Sequence, residues 1–145
     1  MVGNVSKFNN CCFMTLRERQ DQFIADLEMF DNWPDRFNYI ISLAEVLPPE
    51  VPNQLLPYKI EFCKSKTYFS PRINNGFFYI LGWSNSPVMG GIIVAMITIF
   101  NFTSREEFRN TEIDFHTKSG LIDNLTPLRR EGIEEMIRRI TVLLA

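Results

Sequence analysis

Asn74-Asn75-Gly76 has the sequence of a β-hairpin turn, which limits how the segments on either side can pair. Strand-like runs at 65–70 and 76–83 flank it, and Asn and Gly tolerate the positive φ angles of a hairpin turn. A third run of this kind, at 58–62, precedes them. The pattern therefore predicts three short strands in succession, with at least the last two joined as a hairpin.

Apolar residues upstream of these strands recur with the spacing of two amphipathic helices. Asn32 is a suitable N-cap for the second helix, and Pro34 is tolerated in a first helical turn. Pro48 and Pro49 then end that helix, because proline cannot donate a backbone hydrogen bond. The two helices are expected to form an antiparallel hairpin. Their apolar stripes comprise Leu16, Phe23, Ile24, Leu27 and Phe30, and then Phe37, Ile40, Ile41, Ala44 and Leu47.

The segments after the strands are predicted to be mainly helical. Ser86-Pro87 combines an N-cap with a proline at the first helical position, and residues 88–100 are apolar nearly throughout, which favours a buried helix. Residues 104–107 have the capping-box pattern that begins a short helix, whereas 114–124 has the composition of a loop. The last helix has an apolar face and a polar one: Ile133, Met136, Ile137, Ile140 and Leu144 on the first, with Glu134, Arg138 and Arg139 directed more outward.

Strands and helices are thus segregated along the chain. This order predicts an α+β fold in which helices pack on a three-stranded antiparallel sheet. A length of 145 residues suits one compact domain. Residues 1–13 show no periodicity and are predicted to be a disordered leader, with a single domain at 14–145. Met14, at the start of that domain, is a candidate for the true translation start.

The charge and hydropathy of the chain exclude several classes of function. A net charge of −2 lacks the basic excess that is typical of nucleic-acid-binding domains. The apolar run at 88–100 is shorter than the ~20 residues that a membrane-spanning helix needs, and the N-terminus lacks the features of a signal peptide. We therefore expect a cytoplasmic protein that binds neither nucleic acid nor a membrane.

The cysteines are the candidates for chemistry. Cys11 and Cys12 are adjacent and Cys63 is distant, so they form a poor disulfide framework, and His116 is the sole histidine, so a multi-histidine metal site is impossible. We expect a reduced protein without a metal. Cys63 would lie in the tight connection between the first two strands, close to Lys64, where a nearby cation favours the nucleophilic thiolate. On these residues alone, a structural role for the thiol remains the commoner alternative.

From about Leu16 to Ile140 the chain resembles the SufE family, the Fe–S metabolism-associated domain. The order and spacing of several short motifs carry the resemblance. They are Asn32-Trp33, Tyr39-Ile40-Ile41 and Leu47-Pro48; Cys63 with Ser65 and Tyr68; Gly82, Ser84 and Gly91-Ile92-Ile93; and Leu125-Thr126-Pro127, Arg129, Gly132 and Glu135-Met136-Ile137.

The resemblance implies a fold like that of IscU-type scaffolds and a sulfur-transfer function. The partner would be a SufS-type cysteine desulfurase, which carries the pyridoxal phosphate, so that the present chain needs no cofactor of its own. Cys63 would accept the persulfide sulfur, stimulate the desulfurase and pass sulfur towards a SufBCD-type assembly complex. Arg129 corresponds to the family's arginine near the cysteine loop. The chain would act as a monomer or homodimer and as an accessory protein rather than a stand-alone enzyme.

Three positions depart from the family pattern. Phe62 stands where the family generally has glycine before the cysteine, so either the turn differs or the ring shields the thiol. Asn85 replaces an acidic residue and is expected to alter partner specificity, and Tyr68 replaces tryptophan. With Lys64 and Ser65, Phe62 and Asn85 complete the candidate supporting residues. The alternatives are a SufE-like domain that docks to a partner without carrying sulfur and, less consistent with a single core cysteine, an independent thiol redox enzyme.

Overall fold

The first helix, α1 (Leu16–Glu28), begins at a capping box in a computed structural model that describes residues 14–144. The Thr15 hydroxyl accepts a hydrogen bond from the Glu18 amide at 3.0 Å, and the Glu18 carboxylate accepts one from the Thr15 amide at 2.9 Å. Two amides at the helix start are thereby satisfied. The proposed disordered leader at 1–13, including Cys11 and Cys12, lies outside the described residues.

The second helix, α2 (Trp33–Leu43), is capped by Asn32 as predicted. The Asn32 side-chain oxygen accepts a hydrogen bond from the Asp35 amide at 2.9 Å. Beyond Leu43 the chain tightens into a 3₁₀ turn at Ala44–Val46, and a second 3₁₀ segment spans Asn53–Tyr58 within the proline-rich connection. The predicted helical pair is therefore present, with its second helix ending slightly earlier than expected.

Strands β1 (Thr67–Asn74) and β2 (Phe77–Ser84) form an antiparallel hairpin. Asn75 and Gly76 connect them with φ angles of 54° and 80°. These positive values are those that Asn and Gly tolerate in a two-residue turn, so the predicted hairpin is confirmed. Register runs from Thr67 opposite Ser84 to Asn74 opposite Phe77.

The prediction of a third strand at 58–62 is wrong: among residues 14–144 the sheet has two strands. The predicted run contributes one bridge, between Lys59 and Tyr68. Two contacts explain the difference. The carbonyls of Tyr58 and Lys59, which a strand would use for its ladder, accept hydrogen bonds from Arg139 instead. Directly afterwards the chain turns, with the Cys63 amide donating to the Ile60 carbonyl at 3.3 Å.

The apolar segment after the hairpin forms the buried helix α3 (Pro87–Phe100), as predicted. Ser86 caps it by accepting a hydrogen bond from the Met89 amide at 3.3 Å. Helix α3 packs against β2 and α2. It approaches α2 so closely that a Cβ atom at Gly91 would come 1.9 Å from the Ile40 carbonyl oxygen. This position therefore needs glycine.

The C-terminal part comprises α4 (Arg105–Arg109), α5 (Phe115–Lys118), a 3₁₀ turn at Ile122–Asn124, and α6 (Pro127–Leu144). Ser104 caps α4 as predicted, but the Glu107 carboxylate accepts from the Leu16 amide, so the capping box is only half formed. Short helical turns replace the loop that was expected before α6. The predicted α+β class is confirmed, with α3 packed on β2 and α6 on β1. No helix between residues 14 and 144 has the length and apolar character to cross a membrane.

Candidate functional site

Cys63 lies in a short loop, residues 61–66, that leads into β1 and is called the Cys63 loop below. The base of the loop is closed by a hydrogen bond of 2.8 Å from the Ile60 amide to the Thr67 carbonyl. Within it, the Cys63 amide donates to the Ile60 carbonyl, which produces a tight turn. The predicted placement of the cysteine in a tight connection is thus confirmed, although only one side of that connection is a strand.

The thiol of Cys63 is partly buried and packs against the main apolar core. On α6, Gly132 faces it: a Cβ atom at this position would lie 3.3 Å from the Cys63 sulfur and 2.9 Å from the terminal methyl of Met89. There is consequently no room for a larger residue without displacement of a neighbour. The backbone of α6 passes directly beside the sulfur because residue 132 has no side chain.

Burial is the main influence on the pKa of the Cys63 thiol in this conformation. Burial raises the pKa of Cys63 above the ordinary value of a cysteine thiol, while a hydrogen bond from Thr67 and the positive charge of Arg139 act in the opposite direction. Burial is the largest of these effects, because a thiolate loses solvation when it leaves water. In this conformation the thiolate is therefore less favoured than that of a fully exposed cysteine.

Hydroxyl groups connect the Cys63 loop to β2. Ser65 and Thr67 share a hydrogen bond of 2.9 Å, and Thr67 and Ser84 share another of 2.9 Å. The Ser84 oxygen also accepts from the Ser86 amide at 3.1 Å, at the start of α3. Ser65, a predicted supporting residue, is therefore close to the site, where it contacts Thr67.

Asn85 has a structural role at the exit of the loop. Its side-chain oxygen accepts from the Lys66 amide at 2.9 Å, and its own amide donates to the Lys66 carbonyl at 3.0 Å. This reciprocal pair joins the loop to the end of β2. Lys64 is exposed on the same loop. The predicted effect of Asn85 on partner choice stays a prediction.

Phe62 is 44% exposed, so its ring lies at the surface rather than in the core. With residues of α6 it lines a shallow groove of about 250 Å³. Among residues 14–144, positive φ angles outside glycine occur at Asn75 and Phe102. Phe62 therefore does not adopt the left-handed conformation that glycine favours. An aromatic residue fits at this position for that reason. The other residues of the groove are Glu131, Glu134, Glu135 and Arg138.

Two arginines of α6 bear on the predictions for this region. Arg129 lies partly buried in the first turn of the helix, and its assigned role beside the cysteine loop stays a prediction. Arg139 was expected to point outward, which is wrong: its side chain is 24% exposed and donates to the carbonyls of three residues near the loop. Its ion pair with Glu135, four residues earlier, is the one contact that helical spacing could have indicated.

Comparisons with known proteins show the family to which the chain is similar. The model of the SufE family, described as the Fe–S metabolism associated domain, matches residues 21–143. An uncharacterised SufE-like protein of Rhizobium meliloti (strain 1021) is 31% identical over 127 residues, covering 83% of this chain and 90% of the relative. One from Rhizobium etli is 27% identical over 126 residues, covering 83% and 85%.

The fold has a solved counterpart as well. The solution structure of a hypothetical protein from Thermus thermophilus superposes with a TM-score of 0.69 at 16% identity, covering 87% of this chain and 93% of that one. This likeness concerns the fold alone. Since the family model spans nearly the whole described chain and includes the Cys63 loop, the chain belongs to the SufE family, the Fe–S metabolism associated domain.

Proposed function

We propose that this chain accepts persulfide sulfur on Cys63 from a SufS-type cysteine desulfurase, stimulates that enzyme, and delivers the sulfur to a SufBCD-type complex for iron–sulfur cluster assembly. The observation that carries the proposal is the position of Cys63, in a short surface loop with its sulfur turned towards Gly132. Membership of the SufE family supports the connection to Fe–S metabolism. In this role the chain is a cytoplasmic accessory protein without a cofactor of its own.

The transfer step is a thiol–persulfide exchange. The Cys63 thiolate attacks the outer sulfur of the partner's cysteine persulfide, a new S–S bond forms at Cys63, and the S–S bond within the partner's persulfide breaks. The partner's cysteine leaves as a thiolate and takes up a proton. Atoms and electrons balance without an added oxidant or reductant. Cys63 then holds the persulfide that the next acceptor attacks.

The resting conformation suits a carrier that reacts only with its partner. Burial raises the pKa of Cys63, so that in the free protein the thiol is both shielded and poorly nucleophilic. Movement of the loop towards a docked desulfurase would return the sulfur to a polar environment and remove the main cause of the raised pKa. The same burial would protect a newly formed persulfide from reductants in the cell.

Mass spectrometry without reductant tests the proposal. The protein is incubated with a SufS-type desulfurase and cysteine, and intact and peptide masses are measured. A gain of one sulfur on the peptide that contains Cys63, absent from Cys63→Ala, is the expected result. A variant with Cys11→Ser and Cys12→Ser is the matched control and should gain the same sulfur. Labelling that is confined to Cys11 or Cys12 would overturn the assignment of the site.

A second candidate function is docking to the desulfurase without carriage of sulfur. The raised pKa of the partly buried thiol and Phe62 in place of the family's usual glycine favour it. The Cys63→Ala variant distinguishes the two functions. If this variant accelerates desulfurase turnover as well as the wild-type chain does, docking alone accounts for the stimulation. If the stimulation disappears while binding persists, sulfur acceptance is required.

A further inference from the structure

Arg139 of α6 joins the two ends of the Cys63 loop. One terminal nitrogen of its guanidinium donates to the Tyr58 carbonyl at 2.9 Å, on the segment that enters the loop, and to the Phe69 carbonyl at 2.8 Å, on the strand that leaves it. The other donates to the Lys59 carbonyl at 3.1 Å. A single side chain thus binds the backbone on both sides of the loop that carries the cysteine.

Glu135 fixes the orientation of this guanidinium. Its carboxylate accepts from the Arg139 side chain at 2.8 Å, and hydrogen bonds with Arg138 and Arg139 hold the pKa of Glu135 below its usual range. The Arg139 side chain is 24% exposed, so its bonds are partly sheltered from water. Hydrogen bonds from a charged donor are stronger than neutral ones, and the planar guanidinium presents several of them in a fixed arrangement.

Helix α6 contacts the loop at two places, the cysteine and the base. Gly132 lies beside the Cys63 sulfur, whereas Arg139, about two helical turns further on, binds the base of the loop. The hydrogen bond from the Ile60 amide to the Thr67 carbonyl closes the base at the same level. Any outward movement of the thiol must therefore break the contact at Gly132 but need not disturb the bonds at Arg139.

We propose that Arg139, oriented by Glu135, is a positioning residue for sulfur acceptance: it anchors both ends of the Cys63 loop and confines the movement that presents the thiol to residues 61–66. The reaction it serves rests on the proposed function, whereas the anchor itself is a property of the isolated chain. By holding the base, Arg139 limits the number of orientations that the presented thiol can adopt. Such restriction favours reaction in a docked complex.

Hydrogen exchange and alkylation of the isolated protein test the anchor, that is, the hydrogen bonds from Arg139 to the backbone on both sides of the Cys63 loop. In Arg139→Gln, we expect exchange of the Ile60 amide and alkylation of Cys63 by a bulky maleimide to accelerate by roughly tenfold or more, because the loop base opens locally. Arg138→Gln is the matched control. Arg138 is adjacent and also pairs with Glu135, but its side chain is 62% exposed and its bonds go to Glu135. In this control both rates should stay within about twofold of the wild type.

Sulfur transfer from a SufS-type desulfurase, with cysteine as its substrate, tests the positioning role. In Arg139→Gln we expect the maximal rate to fall about tenfold with an unchanged half-saturating concentration of desulfurase, because the docking surface is retained while the thiol is poorly oriented. Arg139→Lys should restore part of this rate, since an ammonium donates to some of the carbonyls. Arg138→Gln should change neither parameter.

The outcomes separate the anchor from the proposed function. If wild-type Cys63 takes up sulfur but Arg139→Gln matches Arg138→Gln in exchange and alkylation, the anchor is overturned and the function stands. If the exchange difference is found but wild-type Cys63 gains no sulfur, the function fails and only the loop anchor stands. If far-ultraviolet circular dichroism shows that Arg139→Gln does not fold, Glu135→Gln is tested in its place. An acceleration of Ile60 exchange in Glu135→Gln, smaller than that expected for Arg139→Gln, supports the anchor. Exchange at the wild-type rate overturns it.

Discussion

The sulfur of Cys63 lies 3.3 Å from the point that a Cβ atom at Gly132 would occupy. The sulfur therefore occupies space that is open only because residue 132 of the last helix has no side chain. This contact makes the resting position of the thiol sensitive to the volume of residue 132, because packed interiors accommodate an added methyl group only by displacing neighbours.

Gly132→Ala should push the thiol outward. The new methyl would lie 2.9 Å from the terminal methyl of Met89, besides its contact with Cys63. Overpacking costs about 1–3 kcal/mol, and the better helix propensity of alanine offsets about 1 kcal/mol of that cost, so we expect a net loss of stability of about 0–2 kcal/mol. Urea denaturation measures that loss, and the rate of maleimide alkylation at Cys63 should rise.

Met89→Ala is the control for loosened packing, because it removes a buried side chain next to Gly132 without adding a methyl beside the sulfur. It should alkylate more slowly than Gly132→Ala. If Gly132→Ala alkylates no faster than the wild type, the helix does not hold the thiol in place by its close approach.

Thr67→Val should make Cys63 less reactive in the resting protein. The interaction of the Thr67 hydroxyl with the thiol lowers the pKa of Cys63, in opposition to burial. Without it the pKa rises further, the thiolate fraction at neutral pH falls, and alkylation slows. The pH dependence of iodoacetamide alkylation measures the change. Ser65→Ala, which loses only the bond to Thr67, should leave the alkylation profile close to that of the wild type.

Asn85→Ala should destabilise the loop, whereas Asn85→Asp should not. The alanine variant leaves the Lys66 amide without its acceptor, which costs about 1 kcal/mol at an exposed site, and aspartate restores that acceptor. Urea denaturation should place Asn85→Asp close to the wild type. If Asn85→Asp also changes the half-saturating concentration of desulfurase, Asn85 acts on the partner as well as on the loop; equal destabilisation by both variants would contradict the structural role.

Asp114→Asn should remove a pH-dependent part of the stability. Arg17 donates to both oxygens of Asp114, at 2.9 and 2.6 Å, and this hydrogen bonding holds the pKa of Asp114 below its usual range. The pair therefore stabilises the folded state above the ordinary pKa of an aspartate, and its contribution is lost as pH falls through the lowered pKa.

We expect Asp114→Asn to cost about 1–3 kcal/mol at neutral pH, towards the lower end because Arg17 is partly exposed. The difference from the wild type should shrink as the pH falls through the lowered pKa of Asp114. Urea denaturation at neutral and acidic pH compares the two proteins. A difference that stays constant with pH would assign the effect to packing rather than to the ion pair.

Contacts within a few residues could be predicted from the sequence. The turn at Asn75 and Gly76 depends on the φ angles that those residues tolerate, and the caps at Asn32 and Ser86 depend on a side chain and an amide three residues apart. The placement of Cys63 in a tight connection was predicted in the same way. These features need no knowledge of what the rest of the chain does.

Contacts between distant segments could not be predicted. The run at 58–62 has the composition of a strand, yet Arg139 takes the carbonyls of Tyr58 and Lys59. Nothing in the local pattern distinguishes Arg139 from the exposed Arg138 beside it. Which of two neighbouring arginines faces the sheet depends on how α6 is rotated on β1, and that rotation follows from packing of the whole core.

Hydrophobic periodicity, turn residues and caps act locally, so the helical pair, the hairpin, the buried helix and the α+β class follow from the sequence alone. Cys63 was singled out by the resemblance to the SufE family rather than by these local signals. The surroundings of that cysteine could be read only from the folded chain: its sulfur against Gly132, its raised pKa and the anchoring of its loop by Arg139. Burial and long-range hydrogen bonds of this kind arise where segments some seventy residues apart in the chain meet in space.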